Sequence, residues 1–129
     1  MTNEQTRHAG VVAATEAAEA TMRTQTVPVN VFETSNAVVV VAPLPAVTAD
    51  DVTIELRGRA LRFWAHVRSA APRDYVMHEW DYGGYERELE LPPGFGSGIE
   101  ASLGSGQLAI RVLRGDAPSD TLTAQPAPS

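Results

Sequence analysis

From Val27 to Arg114 apolar side chains recur at every second position, in short runs punctuated by Gly and Pro. Val29 and Val31 open the pattern, and Val38, Val40 and Ala42 continue it. Val52, Ile54 and Leu56 alternate with Thr53, Glu55 and Arg57, and Gly58 follows as a turn signal. Leu61, Phe63, Ala65 and Val67 alternate with Arg62, Trp64 and His66. Tyr85, Arg87, Leu89 and Leu91 alternate with Glu86, Glu88 and Glu90 until Pro92 and Pro93 stop the run. Ile99, Ala101 and Leu103 form another set and Leu108, Ile110 and Val112 the last, with Gly104-Ser105-Gly106 between them as a hairpin. Period-two runs bury one face and solvate the other. Together they predict an all-β fold, an antiparallel β-sandwich.

The flanks break this pattern. In residues 1–26, Val11, Ala14, Ala18 and Met22 recur at helical spacing, but a face made mostly of Ala buries little, so a marginal helix and a frayed arm are equally good readings. Residues 115–129 hold Pro118, Pro126 and Pro128 among Ala, Ser and Thr, which predicts a flexible, disordered C-terminal extension without a core role. Inside the body, Arg68 to Gly84 alternates poorly. Ser69-Ala70-Ala71-Pro72 reads as a loop, and Asp74 to Trp80 as a short strand displaced from the main sheets. The expected organisation is an arm at 1–26, a β domain at 27–114 and a tail at 115–129.

Composition narrows the chemistry. The 129 residues suit one domain with tails, and 43% hydrophobic residues can fill a core. No window approaches the roughly 20 apolar residues of a membrane span, and Met1 to Gly10 has no secretory character. Cysteine is absent, so thiol catalysis and disulfides are excluded, and the cytoplasm is expected by elimination. The charge is −6 and every basic residue is Arg, a poor basis for binding nucleic acid. His8, His66 and His78 have no metal-pair spacing, and Ser69, Ser97, Ser102 and Ser105 lack a nucleophile elbow. Gly94-Phe95-Gly96-Ser97-Gly98 reads as a connection, and Glu86, Glu88 and Glu90 as one solvated strand face. No enzyme activity, cofactor or metal is expected.

Four segments carry a resemblance. Val29-Asn30-Val31-Phe32-Glu33-Thr34 looks like the first strand of the α-crystallin domain of small heat-shock proteins, with Asn30 in place of Asp. Leu44-Pro45-Ala46-Val47 with Asp50-Asp51-Val52 is similar to that family's L-P-G-V turn, with Ala46 in place of Gly. Glu79, Tyr82-Gly83-Gly84-Tyr85-Glu86-Arg87 and Leu91-Pro92 match its bacterial signature, and Ala101, Gly106 and Leu108 its A-x-x-x-x-G-x-L motif. Independently of any family, Gly106 is expected to take a positive φ, and an inward-facing Arg87 needs a carboxylate or main-chain carbonyl as partner.

The resemblance implies an immunoglobulin-like β-sandwich acting as an ATP-independent holdase for non-native client proteins. It implies a dimer in which Tyr75 to Trp80 adds to Asn30–Thr34 of a second subunit, with Asn30, Phe32, Tyr75, Met77, Trp80 and Arg87 at the contact. It also implies a groove between Val52, Ile54, Leu56 and Ile99, Ala101, Leu103 that takes a client segment or a neighbour's I-x-I tail. This tail departs from that pattern: Thr121-Leu122-Thr123 offers one large anchor where two are usual. A homodimer or small oligomer is therefore expected, with client protection that is weak or dependent on co-assembly with another small heat-shock protein. Two alternatives share the sandwich: a p23/CS-type co-chaperone, and a gas-vesicle-associated member of the same superfamily.

Overall fold

The computed structural model describes residues 25–66, 74–79 and 84–129. The described residues form ten strands: β1 (Gln25–Thr26), β2 (Asn30–Glu33), β3 (Ala37–Pro43), β4 (Val52–Arg57), β5 (Ala60–Ala65), β6 (Tyr85–Glu90), β7 (Phe95–Gly104), β8 (Gln107–Arg114), β9 (Thr121–Ala124) and β10 (Ala127–Pro128). A single 3-10 turn, Ala49–Asp51, precedes β4. Two five-stranded sheets result, ordered β1-β6-β5-β4-β9 and β10-β7-β8-β3-β2. Every ladder is antiparallel except the two-residue pairings of β1 with β6 and of β10 with β7.

The alternation decides which faces meet. Val38, Val40 and Ala42 of β3 and Leu108, Ile110 and Val112 of β8 pack against Val52, Ile54 and Leu56 of β4 and Leu61 and Phe63 of β5, all buried. Fully burying each large side chain is worth about 1.5–3 kcal/mol, so this interior is the main source of stability. No polar or charged residue is buried among the described residues.

Turn chemistry sets the register. Ser105 and Gly106, with φ of 52° and 74°, join Gly104 to Gln107 in the two-residue, left-handed turn that suits strand twist. Gly58, at φ 61°, does the same between Arg57 and Ala60. Asp51 accepts hydrogen bonds from the Thr48 main-chain N–H (2.9 Å) and hydroxyl (3.1 Å), fixing the approach to β4. Pro43 closes β3 and Pro92 follows β6, where a missing N–H costs nothing.

The structure corrects several expectations. Residues 115–129 are not a disordered tail: Thr121–Ala124 forms β9 and Ala127–Pro128 forms β10, and Pro126 between them is buried. An edge strand needs little apolar area of its own, because β4 supplies hydrogen-bonding groups that otherwise lack a partner. The Gly-rich stretch after Pro93 is not merely a connection, since β7 begins at Phe95 and its register shifts between Phe95 and Ile99, a bulge that glycine permits. Val31, expected in the core, is 44% exposed because β2 lies at the sandwich margin. Described residues 74–79 form no strand within their own subunit. The helical spacing from Val11 to Met22 lies outside the described residues, while Gln25–Thr26 of the expected arm is strand.

Candidate functional site

No three His, Asp or Glu residues converge as a metal set among the described residues. His66 and His78 are exposed, the His78 ring stacking on Tyr75 at 4.5 Å, and His8 lies outside the described residues. Glu86 and Glu90 pair with Arg62 (2.9 Å) and Arg59 (3.6 Å) on the outer face of the first sheet, with Arg62 also over the Trp64 ring. What the described residues offer is main chain, at strand edges.

The outer edge of β6 is covered by β1, which places Gln25 opposite Tyr85 and Thr26 opposite Glu86. Arg87 closes this contact, its Nη1 donating to the Val27 carbonyl at 3.1 Å. Its register partner Phe63 is in the core, so Arg87 faces inward and takes the main-chain acceptor that its partial burial requires. The remaining expected contact residues lie elsewhere. Asn30 and Phe32 are exposed on β2, which pairs only with β3. Tyr75 and Met77 are exposed in the 74–79 segment, and Trp80 lies outside the described residues. No ladder joins 74–79 to β2 within the chain. Val31, Phe32, Tyr75, Val76 and Met77 make up the exposed large hydrophobic residues among those described.

Of the residues expected to line a groove, Val52, Ile54, Leu56 and Leu103 are buried and Ile99 and Ala101 half-buried, on β4 and β7. The outer edges of both strands are paired within the chain. β9 runs antiparallel along β4 with Leu122 opposite Leu56 and Ala124 opposite Ile54, both packed against the core. β10 then pairs with β7, Ala127 opposite Ser102 and Pro128 opposite Leu103, and the Ser129 N–H donates to the Leu103 carbonyl at 2.9 Å. Gly104 makes room for this: a Cβ there would meet Ser129 Cβ at 2.7 Å. Sequence reasoning singled out Leu122 as one large anchor but missed Ala124 and Pro126, although Thr121-Leu122-Thr123-Ala124 alternates.

The geometry defines a class of protein, a β-sandwich of two five-stranded, mainly antiparallel sheets. The sequence profile of the Hsp20/alpha crystallin family matches residues 30–124, and the chain belongs to that family. No curated protein sequence matches it. Among solved structures it resembles a small heat-shock protein from Xylella fastidiosa described as having a distinct high order structure (TM-score 0.61, 25% identity, covering 72% of this chain and 89% of that one). It also resembles hspA from Xanthomonas axonopodis (0.63, 23%, 70% and 94%). HSP18.5 from E. histolytica shares the fold at 17% identity (0.62, 75% and 94%). Family membership supports a chaperone role, and no described helix is long and apolar enough to cross a membrane.

Proposed function

We propose that this chain is an ATP-independent holdase, not an enzyme, that pairs with a second copy and keeps partly unfolded cytoplasmic proteins from aggregating. One observation carries the reading. The outer edge of β2, which no described strand covers and where Val31 and Phe32 are open to solvent, coexists with a segment outside both sheets whose Tyr75, Val76 and Met77 are also exposed. An open strand edge is a template for another strand, and an exposed apolar segment lacks burial; each supplies what the other needs. No ladder joins them among the described residues of one chain, and two copies would satisfy both. The same property, apolar surface beside free backbone groups, suits chains that have lost their own packing, and holding them needs no chemical step.

The test is turbidity of a heat-denaturing enzyme without nucleotide. The purified protein should slow aggregation in proportion to its molar ratio, without ATP improving the effect. Aggregation unchanged at every ratio would remove the holdase reading.

A further inference from the structure

We propose that Arg111 and Arg114 of β8 are positioning residues for the pairing of two copies: they grip the β2–β3 turn and hold β2 in the pose that a second copy's 74–79 segment meets. This rests on the pairing reading above and names the residues that control it.

β2 is weakly held by its own side chains. It is four residues long, all of them exposed, and among the described strands it is hydrogen-bonded to β3 alone. Two strands joined by a turn are marginal by themselves in water. The chain entering β2 is anchored, because Val27 is buried and Val29 packs against the core. The chain leaving it depends on the turn at residues 34–36. There the Thr34 N–H donates to the Ala37 carbonyl (2.8 Å), and the Ala37 N–H donates back to the Thr34 hydroxyl oxygen (3.1 Å).

Both arginines reach this turn from outside. The Arg114 N–H donates to the Asn36 carbonyl (2.8 Å) and its Nε to the Ser35 carbonyl (3.1 Å). Arg111 Nη2 donates to the Asn36 side-chain oxygen (3.2 Å), which also accepts from the Thr34 hydroxyl (3.0 Å). The arginines are held in their turn by β7, on the side of β8 away from β2. Arg111 Nη1 donates to Glu100, its register partner, at 2.7 Å. The Arg114 guanidinium lies 4.6 Å from the centre of the buried Phe95 ring, and the Ser97 hydroxyl donates to the Arg114 carbonyl at 2.7 Å. A planar guanidinium already fixed by a carboxylate or a ring loses little freedom when it binds a carbonyl. The clamp therefore runs from β7 through β8 to the turn.

Its groups lie at the surface. The Arg111 and Glu100 side chains are 40% and 58% exposed, and exposed pairs add little to overall stability. What they control is local order. A frayed β2 must be ordered when a partner strand arrives, and that ordering is subtracted from the affinity. A clamped β2 meets the partner already in place.

Arg111→Met with Arg114→Met removes the side-chain donors and keeps their bulk. At a dilution where parent and variant are both monomeric, hydrogen exchange at residues 30–34 should quicken at least about tenfold, with β4, β5 and β8 unchanged. Sedimentation equilibrium at higher concentration should show the dimer dissociation constant raised at least about tenfold. The variant also loses two positive charges, so a covalent tie supplies the control. Glu33 and Val38 face each other across β2 and β3 beside the turn, and facing residues of antiparallel strands lie about 4.5–5.5 Å apart between Cα atoms, within disulfide range. The chain has no cysteine, so Glu33→Cys with Val38→Cys, added to the double-Met protein, creates a single possible bridge. Oxidation should restore the dimer and reduction weaken it again, at constant charge. An unchanged dimer constant in the double-Met protein overturns the proposal. So does a dimer equally weak in both redox forms, because charge and not pose would then be the cause. Faster exchange throughout the sandwich overturns it as well, since the arginines would then be general props. A parent that is monomeric at every concentration overturns the pairing reading and takes the clamp's role with it; a parent dimer indifferent to the clamp overturns the clamp alone.

Discussion

Ala46 stands at φ 68°, in the left-handed region, with its side chain exposed. The methyl group gains no packing there and is strained against its own carbonyl, a penalty of about 1–2 kcal/mol for an L-residue. The resemblance places Gly at this position, and the reason is now visible: the chain must reverse after β3 before the turn into β4. Glycine removes the strain but costs about 0.5–1 kcal/mol of extra freedom in the unfolded chain. Ala46→Gly should therefore stabilise by about 0.5–1 kcal/mol and raise the melting temperature by about 2–4 °C in a domain of this size. Calorimetry measures it. A melting temperature that stays level or falls would mean that residue 46 is not held left-handed in solution. The neighbouring turn is tied down on both sides, since Tyr85 donates its hydroxyl proton to the Pro45 carbonyl (3.0 Å) and the Leu44 N–H reaches the Gly106 carbonyl (2.7 Å).

At the scale of elements, β2 is, among the described strands, the edge strand that exposes large apolar side chains. Phe32 shares the outer face with Val39, and Val31 the inner face with Val40, yet neither is covered. If a second copy lays its 74–80 segment there, a two-fold axis repeats the contact, so each substitution counts twice. Phe32→Asp should leave the isolated fold intact, because Phe32 is 52% exposed. Losing about 1.5–3 kcal/mol of burial at each of two sites should weaken the dimer at least about a hundredfold. Sedimentation equilibrium reads this directly, and an unaltered dimer constant would put the contact on another edge. The sequence made β3, β4, β5, β6 and β8 legible because strands packed face to face must alternate strictly, and their ends carry Gly or Pro. It made β9 and β10 hard to see for the opposite reason. Their stability comes from hydrogen bonds to β4 and β7, leaving only Leu122 and Pro126 as apolar marks. The strands Val52 to Leu56 and Ile99 to Leu103 were legible; the strands that pair with their edges were not, because one large anchor looked insufficient. A tethered strand, however, avoids most of the entropy lost when a free one binds.

For the whole molecule, growth depends on which edges stay free. β1 covers β6, β9 covers β4 and β10 covers β7, so the sheets end, among the described strands, at β1, β9, β10 and β2, and of these β2 is the one that exposes large hydrophobic side chains. A segment that could cross to a neighbour through the β4–β7 cleft is folded back on its own subunit instead. One self-complementary contact per subunit closes on itself as a two-fold pair, whereas a shell needs a second, independent contact. The charge of −6 adds repulsion between copies that brings no offsetting contact. Light scattering on the full chain should therefore give a mass near twice 13.8 kDa, steady over a wide concentration range. Because β9 covers the edge of β4, Leu122→Ser, which weakens that strand, should form larger species on warming before the parent does. A parent protein that already scatters as a stable particle of many subunits in the cold would show that a further contact, outside the edges described, joins the dimers.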